Sequence, residues 1–454
     1  MRALAFLLLF TWLFGASATI LENGQARLNP YPGQTEVITL DKKTWRTYKP
    51  GVKEISYKGR WDDKYISWWS YVQQSLQLDS RSHFLGLLDS SLHSLLALSF
   101  GQYTSQGVLV AYRLGGQDWQ FSNVTANATY QFIGPTTTGL NLTKAGDIRT
   151  FELRGRHLRT GPMDTFPGSL DSRNLLTTRT IQLAGVSVAA DAKISRVPEY
   201  PRMVEIIGDS LSSGDYATYE GLSSWAYDFA AGLGNVEYSI TVRSLPHLLH
   251  PILTNKAYPG ICLHDQNCWG NPRGQAYQWY RTSDTSWRAH EIYGDNPPRW
   301  NFAAQRPADL VVINIGTNDN NPTNNVSSID YYNDYVNLVG NIHKIWPKAN
   351  IVLMSLWGGF GASGDTYVQG PIWVDEIKRV YQHYEKQGFI HYFDTTGILQ
   401  HNDIAPQWHP TDVGHIKIAA HLMQWVKLKF GWEFGATGPE VHHGTLYWND
   451  QANY

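Results

Sequence analysis

The sequence predicts a mixed α/β protein in two parts, an N-terminal β-sandwich of jelly-roll type and an α/β/α domain built on a parallel sheet. From about Thr35 to Pro198, short alternating β-rich runs are separated by turn residues, which is typical of a sandwich. From Pro201 onward, wholly apolar runs alternate with stretches of helical period, which indicates an open parallel sheet covered by helices. The chain of 454 residues is long enough for two hydrophobic cores.

The elements of the second part follow from their apolar patterns. Apolar runs predict buried parallel strands at residues 203–207, 310–315, 351–356 and 390–393. Apolar positions at helical spacing predict helices over residues 329–342, 374–384 and 416–423. We therefore expect a sandwich domain at residues 19–200, a parallel-sheet domain at 201–435, and a segment at 436–454 that is either a tail or a strand returning to the first domain.

Two stretches, residues 155–182 and 242–256, fit this pattern poorly. Each is either a surface loop, since loops tolerate insertion at low entropic cost, or an intron retained in the gene model. Their first residues (Gly-Arg and Val-Arg) and last residues (Gln and Lys) can be encoded by splice-site consensus sequences. Sequencing of the mature transcript distinguishes the two hypotheses.

The first 18 residues have the pattern of a secretory signal peptide. Arg2 precedes an apolar run at residues 3–14, and Ala-Ser-Ala at 16–18 is a small-residue cleavage site, so the mature chain would begin near Thr19. The apolar run is short for a membrane span, and we expect a secreted, extracellular protein with no such span. N-glycosylation sequons fit this route and lie at Asn123, Asn127, Asn141 and Asn325.

The chain has only two cysteines, Cys262 and Cys268, which lie close together. In an oxidising compartment this pair predicts a disulfide that closes a small loop. The thiols and their neighbours His264 and Asp265 do not have a recognisable zinc-ligand spacing, so we predict no metal and no cofactor.

Charge and aromatic content narrow the class of partner. The formal net charge of -2 provides no sequence-wide field that would attract a phosphate backbone, so we expect no nucleic-acid partner. The 18 Trp and 26 Tyr residues are numerous, and their flat rings suit sugar faces as well as protein cores. We expect a monomer.

Ser210 is the first candidate catalytic residue. It lies in the tetrapeptide Gly-Asp-Ser-Leu at residues 208–211, which directly follows the first predicted parallel strand. Open α/β sheets bind ligands at the carboxyl ends of their strands, so a serine here is well placed to act as a nucleophile. The tetrapeptide alone could equally be no more than the end of a strand.

Two further candidates follow later elements. Asn318, in Gly-Thr-Asn-Asp at residues 316–319, comes after the next central strand and could donate its side-chain amide to a developing oxyanion. His409 lies in the loop before the final helix, where Thr411 or Asp412 can cap the helix N-terminus. Each residue alone is more often structural, and the combination and order carry the prediction.

Together these blocks resemble the SGNH (GDSL-type) hydrolase superfamily, whose members have a Ser in Gly-Asp-Ser-Leu, a Gly, an Asn in Gly-x-Asn-Asp and a late His. The resemblance implies that Ser210 is the nucleophile and His409 its general base. It also implies an oxyanion hole formed by Asn318 and the backbone N–H groups of Ser210 and Gly260, the latter matched in Ala-Tyr-Pro-Gly at residues 257–260.

The order of the domains resembles carbohydrate esterase family 2, and within it a fungal member. A predicted sandwich containing Gly-Arg-Trp at residues 59–61 precedes the Gly-Asp-Ser-Leu block. This resemblance covers most of the chain after the signal peptide and implies a serine esterase that removes acetyl groups from plant polysaccharides such as xylan or glucomannan. The implied partner is an acetylated polysaccharide or oligosaccharide.

One position departs from the superfamily pattern. An Asp usually stands three residues before the His, but Pro406 occupies that position here. Some members of carbohydrate esterase family 2 work with a Ser-His dyad whose imidazole is oriented by a backbone carbonyl, and the carbonyl of Gln407 is the matching candidate. The carboxylate of Asp403 is the alternative orienting group.

The substrate class leaves alternatives open. Trp408, Trp357 and Trp269 could stack a sugar ring and exclude long acyl chains, or could be ordinary wall packing. A lipase or phospholipase of the same superfamily would share every catalytic residue. A third alternative is a non-catalytic carbohydrate-binding protein with a vestigial hydrolase domain.

Overall fold

The computed structural model describes residues 21–22, 25–26, 35–68, 76–81, 95–114, 119–134, 148–156, 180–242, 260–405 and 408–437. Several predictions therefore lie outside the described residues: the signal peptide, the sequon at Asn141, the backbone of Gln407, most of residues 155–182 and 242–256, and the segment 438–454.

The first half of the chain is built from short β-strands. In chain order they are β1 (Leu21–Glu22), β2 (Gln25–Ala26), β3 (Glu36–Val37), β4 (Trp45–Tyr48), β5 (Ser56–Tyr57), β6 (Ile66–Ser67), β7 (Leu76–Arg81), β8 (Leu96–Phe100), β9 (Val108–Leu114), β10 (Gln120–Val124), β11 (Thr129–Ile133), β12 (Ile148–Arg156), β13 (Ile181–Ala189) and β14 (Lys193–Ser195).

These strands form a sandwich of two antiparallel sheets. One sheet has the order β10-β9-β12-β7-β14, with β5 also on β7, and the other has the order β3-β11-β8-β13-β4, with β6 on β13. Their inner faces share one apolar core, in which the ring of Phe132 from the second sheet lies 4.9 Å from that of Tyr112 and 5.9 Å from that of Phe151 in the first. The predicted sandwich is confirmed.

The second half contains the predicted parallel sheet. Its strands are β15 (Arg202–Gly208), β16 (Val236–Val242), β17 (Leu310–Asn314), β18 (Asn350–Met354) and β21 (Ile390–Phe393), in the order β16-β15-β17-β18-β21. The chain leaves β15 toward β16 on one side and returns to β17 on the other. The crevice at the carboxyl ends of β15 and β17 is therefore the topological switch point, where open sheets bind ligands.

Helices cover both faces of this sheet. They are α1 (Ser210–Ser213), α2 (Trp225–Gly232), α3 (Gln275–Gln278), α4 (Trp287–Tyr293), α5 (Ser328–Ile345), α6 (Val374–Tyr384) and α7 (Asp412–Phe430), with single 3-10 turns at Glu220–Ser223, Pro322–Asn324, Glu385–Gln387 and His401–Asp403. One apolar core joins the sheet to α2 and α7, and a second joins it to α5 and α6. The predicted α/β/α arrangement is confirmed.

A hairpin that the sequence analysis did not predict follows β18. It consists of β19 (Leu356–Ser363) and β20 (Thr366–Ile372), which pair with each other but not with the parallel sheet. Its tip is exposed, and its base joins the sheet through the buried residues Leu356, Trp357 and Ile372. The hairpin lies at the carboxyl edge of the sheet because it directly follows β18.

Buried polar contacts join the two parts of the chain. Arg60, from the Gly-Arg-Trp stretch at residues 59–61, is 1% exposed. Its guanidinium binds the carboxylate of Glu205 in β15 at 3.3 Å. It also donates to the carbonyl oxygen of Trp279 at 2.5 Å. Removing one partner of such a buried ion pair costs about 3 to 5 kcal/mol, so this contact fixes the sandwich against the sheet.

Candidate active site

The sharp turn after β15 presents Ser210. Asp209 has an extended backbone and caps α1, accepting the backbone N–H of Leu211 at 3.0 Å. Gly208 lets the turn close, because a Cβ there would lie 2.3 Å from the Ser212 hydroxyl and 2.9 Å from the carbonyl oxygen of Asn314. Ser210 therefore begins a one-turn helix at the switch point of the sheet and is 3% exposed.

The structure brings the imidazole of His409 to this serine. The Nε2 atom of His409 lies 2.8 Å from the Oγ atom of Ser210, across 199 residues of sequence. At this distance the hydroxyl and the ring nitrogen form a hydrogen bond. In this arrangement the imidazole can take the serine proton. His409 is 6% exposed, so the pair is largely shielded from bulk water.

Backbone hydrogen bonds hold the loop that carries His409. The N–H of Ala405 donates to the carbonyl oxygen of His409 at 2.6 Å, and the N–H of Thr411 donates to that of Asp403 at 2.8 Å. The hydroxyl of Thr411 then caps α7 by accepting the N–H of Gly414 at 3.2 Å. The predicted cap by Thr411 is confirmed, and it fixes the loop to the start of α7.

The two candidate orienting groups for His409 have different outcomes. The carboxylate of Asp403 binds the ammonium group of Lys417 and accepts the backbone N–H of Gln400 at 2.8 Å. It therefore does not bind the imidazole, because these bonds turn it toward α7. Gln407 lies outside the described residues, so its carbonyl stays a prediction.

Asn318 and Gly260 lie against each other. A Cβ on Gly260 would come 1.9 Å from Oδ1 and 2.3 Å from Nδ2 of Asn318, so only glycine fits at this contact. The Nδ2 atom of Asn318 donates to the carbonyl oxygen of Ile261 at 3.0 Å. An amide nitrogen carries two donors, so its second N–H is left for another acceptor.

The segment that contains Gly260 is tied down on both sides. The side-chain amide of Asn271 donates to the carbonyl oxygen of Gly260 at 2.8 Å. The predicted disulfide joins Cys262 and Cys268, both fully buried. The carboxylate of Asp319 accepts the N–H groups of Leu263 and His264, at 2.8 Å and 2.9 Å. These bonds connect the segment to the loop after β17.

Two buried carboxyl groups lie beneath the site. Burial, together with the charge of Asp319, raises the pKa of Asp209 to about 7, against the N–H groups of Leu211, Gly316 and Thr317, which lower it. Burial likewise raises the pKa of Asp319 to about 6, while N–H groups of the segment after Gly260 lower it. The negative charge of Asp319 disfavours ionisation of Asp209. The Asp in Gly-Asp-Ser-Leu therefore shares its surroundings with the Asp after Asn318.

The three candidate tryptophans occupy different environments. Trp408 is 40% exposed and its indole lies over Gly359 of the hairpin, where a Cβ would come 2.3 Å from Nε1. Trp357 is 1% exposed and donates from Nε1 to the carbonyl oxygen of Trp408 at 3.2 Å. The ring of Trp357 is packed in the core, which fits the alternative of wall packing. Trp269 is half-buried beside the disulfide.

Tyr216 is a neighbour of the site that the sequence analysis missed. Its ring lies 5.0 Å from that of His409, with the planes inclined at 51°. It belongs to the turn after α1, six residues after Ser210. No short motif marks it, but any residue soon after a nucleophile at a strand end lies on the same edge of the sheet.

Other predictions concern the surface and bound ions. Asn123, Asn127 and Asn325 are exposed, as glycosylation would require. Among the described residues, no group of three or more His, Cys, Asp or Glu side chains could hold a metal ion. Within the same part of the chain, no helix has the length and apolar content to cross a membrane.

A family model matches part of the second half of the chain. Residues 265–416, which include Asn318 and His409, match the model of the GDSL-like lipase/acylhydrolase family. No curated protein shows significant similarity to the chain.

Solved structures share the fold of most of the chain. A family two carbohydrate esterase from Clostridium thermocellum, an active-site mutant with a bound cello-oligosaccharide, is similar at a TM-score of 0.58 and 18% identity, over 83% of this chain and 99% of that one. A carbohydrate esterase family 2 enzyme from Corynascus thermopiles (Myceliophthora fergusii) is similar at 0.57 and 18%, over 83% and 100%.

An acetyl xylan esterase from the rumen bacterium Butyrivibrio proteoclasticus is similar at a TM-score of 0.58 and 14% identity, over 85% of this chain and 100% of that one. Identities this low establish the fold alone. Residues 265–416 thus match the GDSL-like lipase/acylhydrolase family, and most of the chain shares its fold with structures of carbohydrate esterase family 2.

Proposed function

We propose that this protein is a secreted serine esterase that removes O-acetyl groups from plant cell-wall polysaccharides such as xylan and glucomannan. The observation that carries the proposal is the 2.8 Å contact between Ser210 Oγ and His409 Nε2 at the switch point of the sheet. The fold shared with carbohydrate esterases supports the substrate class.

The reaction would proceed in two halves. Ser210 Oγ attacks the ester carbonyl carbon while His409 Nε2 takes its proton, and a tetrahedral oxyanion forms. The imidazolium of His409 then gives that proton to the departing sugar hydroxyl, which leaves an acetyl-enzyme. Water, deprotonated by the same imidazole, attacks the acetyl carbonyl, and acetate and free Ser210 are released.

The oxyanion would be held by donors that are already in place. The free N–H of the Asn318 amide and the backbone N–H groups of Ser210 and Gly260 are the candidates. Each donor of this kind typically contributes about 10²- to 10³-fold in kcat. The bonds that fix Gly260 and Asn318 reduce the reorganisation that the reaction would need.

The side chains around His409 suit a dyad. The Asp403 carboxylate, which was the alternative orienting group, is bound to Lys417 and does not stabilise the imidazolium. A neutral acceptor such as the Gln407 carbonyl would fix the tautomer of the ring, while stabilising its charged form less than a carboxylate does. His409 must be neutral to act as a base. Activity would therefore rise with pH as the imidazole loses its proton, around pH 6.5 for an ordinary histidine.

The N-terminal signal pattern and the disulfide support secretion. Disulfides persist in oxidising compartments and are rare in the cytosol. Expression of the full chain in a eukaryotic secretory host tests this directly. N-terminal sequencing of the protein in the medium is expected to begin near Thr19, whereas retention of residues 1–18 inside the cell would contradict secretion.

Acetate release from acetylated xylan and glucomannan tests the activity, with Ser210→Ala as the inactive variant. Ser212→Ala is the matched control, since it removes a buried hydroxyl from the same short helix. That hydroxyl bonds only to the side chain of Asn314, at 3.4 Å. We expect release by wild type and Ser212→Ala, and none by Ser210→Ala. Equal release by all three would exclude Ser210, and no release by any would favour the non-catalytic binding protein.

Acyl length separates the esterase from a lipase of the same superfamily. Trp408 is exposed next to His409 and rests on Gly359 of the hairpin, and we expect its ring to exclude long acyl chains. Hydrolysis of nitrophenyl acetate is therefore expected to exceed that of nitrophenyl octanoate. The reverse order would favour the lipase or phospholipase.

A further inference from the structure

The turn after the nucleophile packs on the β-sandwich. This turn, residues 214–224, carries Tyr219, whose ring is parallel to that of Phe121 in β10, with centroids 5.0 Å apart and planes inclined by 7°. Leu109 and Ala111 of β9 complete the same apolar cluster. The contact lies on the outer face of the first sandwich sheet, away from the core that the two sheets share.

The other side of this turn reaches the catalytic histidine. Tyr216 places its ring 5.0 Å from that of His409. Thr218 donates its backbone N–H to one carboxylate oxygen of Asp412, at 2.8 Å, and its hydroxyl to the other, at 2.5 Å. Asp412 is the first residue of α7, three positions after His409. The turn thus contacts the histidine loop both directly and through the start of α7.

The backbone of the turn is strained. Tyr216 has φ of 71° and Glu220 has φ of 41°, the left-handed region that residues with a side chain avoid. Just before them, the chain passes Gly214, where a Cβ would come 2.4 Å from the carbonyl oxygen of Glu220. Strained backbone persists only where the surroundings over-determine it. Here those surroundings are the Phe121 stack on one side and the Asp412 carboxylate on the other.

We infer that the β-sandwich positions the catalytic histidine, with Phe121 and Tyr219 as positioning residues that act through the turn at 214–224. This inference rests on the proposed function. The sandwich is then part of the catalytic unit, because a ring from β10 holds the turn that packs Tyr216 against the imidazole.

The rest of the domain interface does not depend on this stack. Arg60 binds Glu205 at 3.3 Å and Lys58 binds Glu237 at 2.8 Å, and none of these residues belongs to the Phe121 cluster. These contacts keep the two domains docked when the ring of Phe121 is shortened. A change at Phe121 is therefore expected to loosen the turn without separating the domains.

The matched pair Phe121→Leu and Phe132→Leu tests the inference. Both phenylalanines are 3% exposed in the sandwich, but Phe132 faces the shared core and Phe121 faces the turn. We expect Phe121→Leu to lower kcat for nitrophenyl acetate by about tenfold, with KM within about twofold. The conservative variant Phe121→Tyr is expected to keep kcat near that of wild type. Phe132→Leu is expected to lower Tm while kcat per folded molecule stays near that of wild type.

A readout independent of hydrolysis separates this inference from the proposed function. The imidazole NMR signals of His409 are expected to move in Phe121→Leu and in Tyr219→Leu, but not in Phe132→Leu, whether or not the protein hydrolyses any ester. Unchanged His409 signals in both variants of the stack would overturn the inference. So would equal losses of kcat per folded molecule in Phe121→Leu and Phe132→Leu.

Discussion

The carboxylate of Asp403 binds the ammonium group of Lys417, with Nζ to Oδ distances of 2.7 Å and 2.9 Å. Lys417 lies in α7 and Asp403 in the turn before the histidine loop, so this ion pair joins the two ends of that loop. The ion pair stabilises the loop without contacting the Ser210 hydroxyl or the His409 imidazole. Asp403 therefore has a structural role near His409, and its carboxylate pairs with α7.

The first prediction compares Asp403→Asn with His409→Ala. Asn keeps the side-chain acceptor for the N–H of Gln400 and loses only the charge opposite Lys417. We expect kcat/KM to fall by less than about fivefold in Asp403→Asn. Removal of His409, the proposed general base, is expected to lower kcat/KM by at least about 10³-fold. Equal losses of kcat/KM in the two variants would show that Asp403 acts on the imidazole.

The second prediction concerns Asn318→Ala. Its amide has one N–H on the carbonyl oxygen of Ile261 and a second that we assign to the oxyanion. A donor that acts only in the transition state changes kcat and leaves substrate binding nearly unchanged. We expect kcat for nitrophenyl acetate to fall by about 10²- to 10³-fold with KM within about threefold. A rise in KM at constant kcat would mean that Asn318 binds the substrate ground state instead.

The third prediction uses the buried carboxyl of Asp209. Its pKa of about 7 lies above the ordinary 3.8 because of burial, so between these values the folded protein keeps a proton that the unfolded chain has lost. The free energy of unfolding therefore falls as pH rises through this window, by about 1.4 kcal/mol per pH unit for one such group. The effect is complete above pH 7 and absent below about pH 4.

Thermal unfolding of Asp209→Asn measures this effect. Asn does not titrate and is also a good N-cap residue, so it can still accept the N–H of Leu211. We expect the Tm of the variant, relative to wild type, to be higher at pH 8 than at pH 5. A Tm difference that is the same at both pH values, or that changes in the opposite direction, would contradict the buried, proton-holding carboxyl.

The fourth prediction concerns the exposed ring of Trp408. This ring is 40% exposed next to His409, and it rests on Gly359 of the hairpin. We expect Trp408→Ala to raise KM for acetylated xylo-oligosaccharides by about tenfold, which corresponds to about 1.4 kcal/mol of stacking. KM for nitrophenyl acetate is expected to stay within about twofold, and Trp408→Phe should retain most of the affinity. Equal effects on both substrates would argue against a sugar contact.

Four of the five parallel strands were predictable because they contain unbroken apolar runs, whereas β16 alternates apolar and polar residues. Residues 310–315 and 390–393, for example, correspond to β17 and β21 within one residue. Helix faces were less predictable, since adjacent apolar positions compete for the core. Ile416, placed on the apolar side of the final helix, is 58% exposed, and Ile418 and Leu422 are buried instead.

The contacts around the candidate site depended more on tertiary structure. Gly260 and Asn318 were named from their motifs, and the structure places them in contact. The positions of Tyr216 and Trp357 could not be read from the chain, because a ring beside a strand end can face the crevice or the core. The hairpin was also missed, since its glycine-rich strands lack the apolar alternation that marks a strand.

The covalent step at Ser210 is the most direct test of the whole account. Wild-type enzyme would be mixed briefly with nitrophenyl acetate, quenched in acid and digested, and its peptides analysed by mass spectrometry. We predict one acetyl group on the peptide that contains Ser210, absent in Ser210→Ala and greatly reduced in His409→Ala. Acetate release by wild type with no acetyl group on Ser210, or with the acetyl group on another residue, would contradict it.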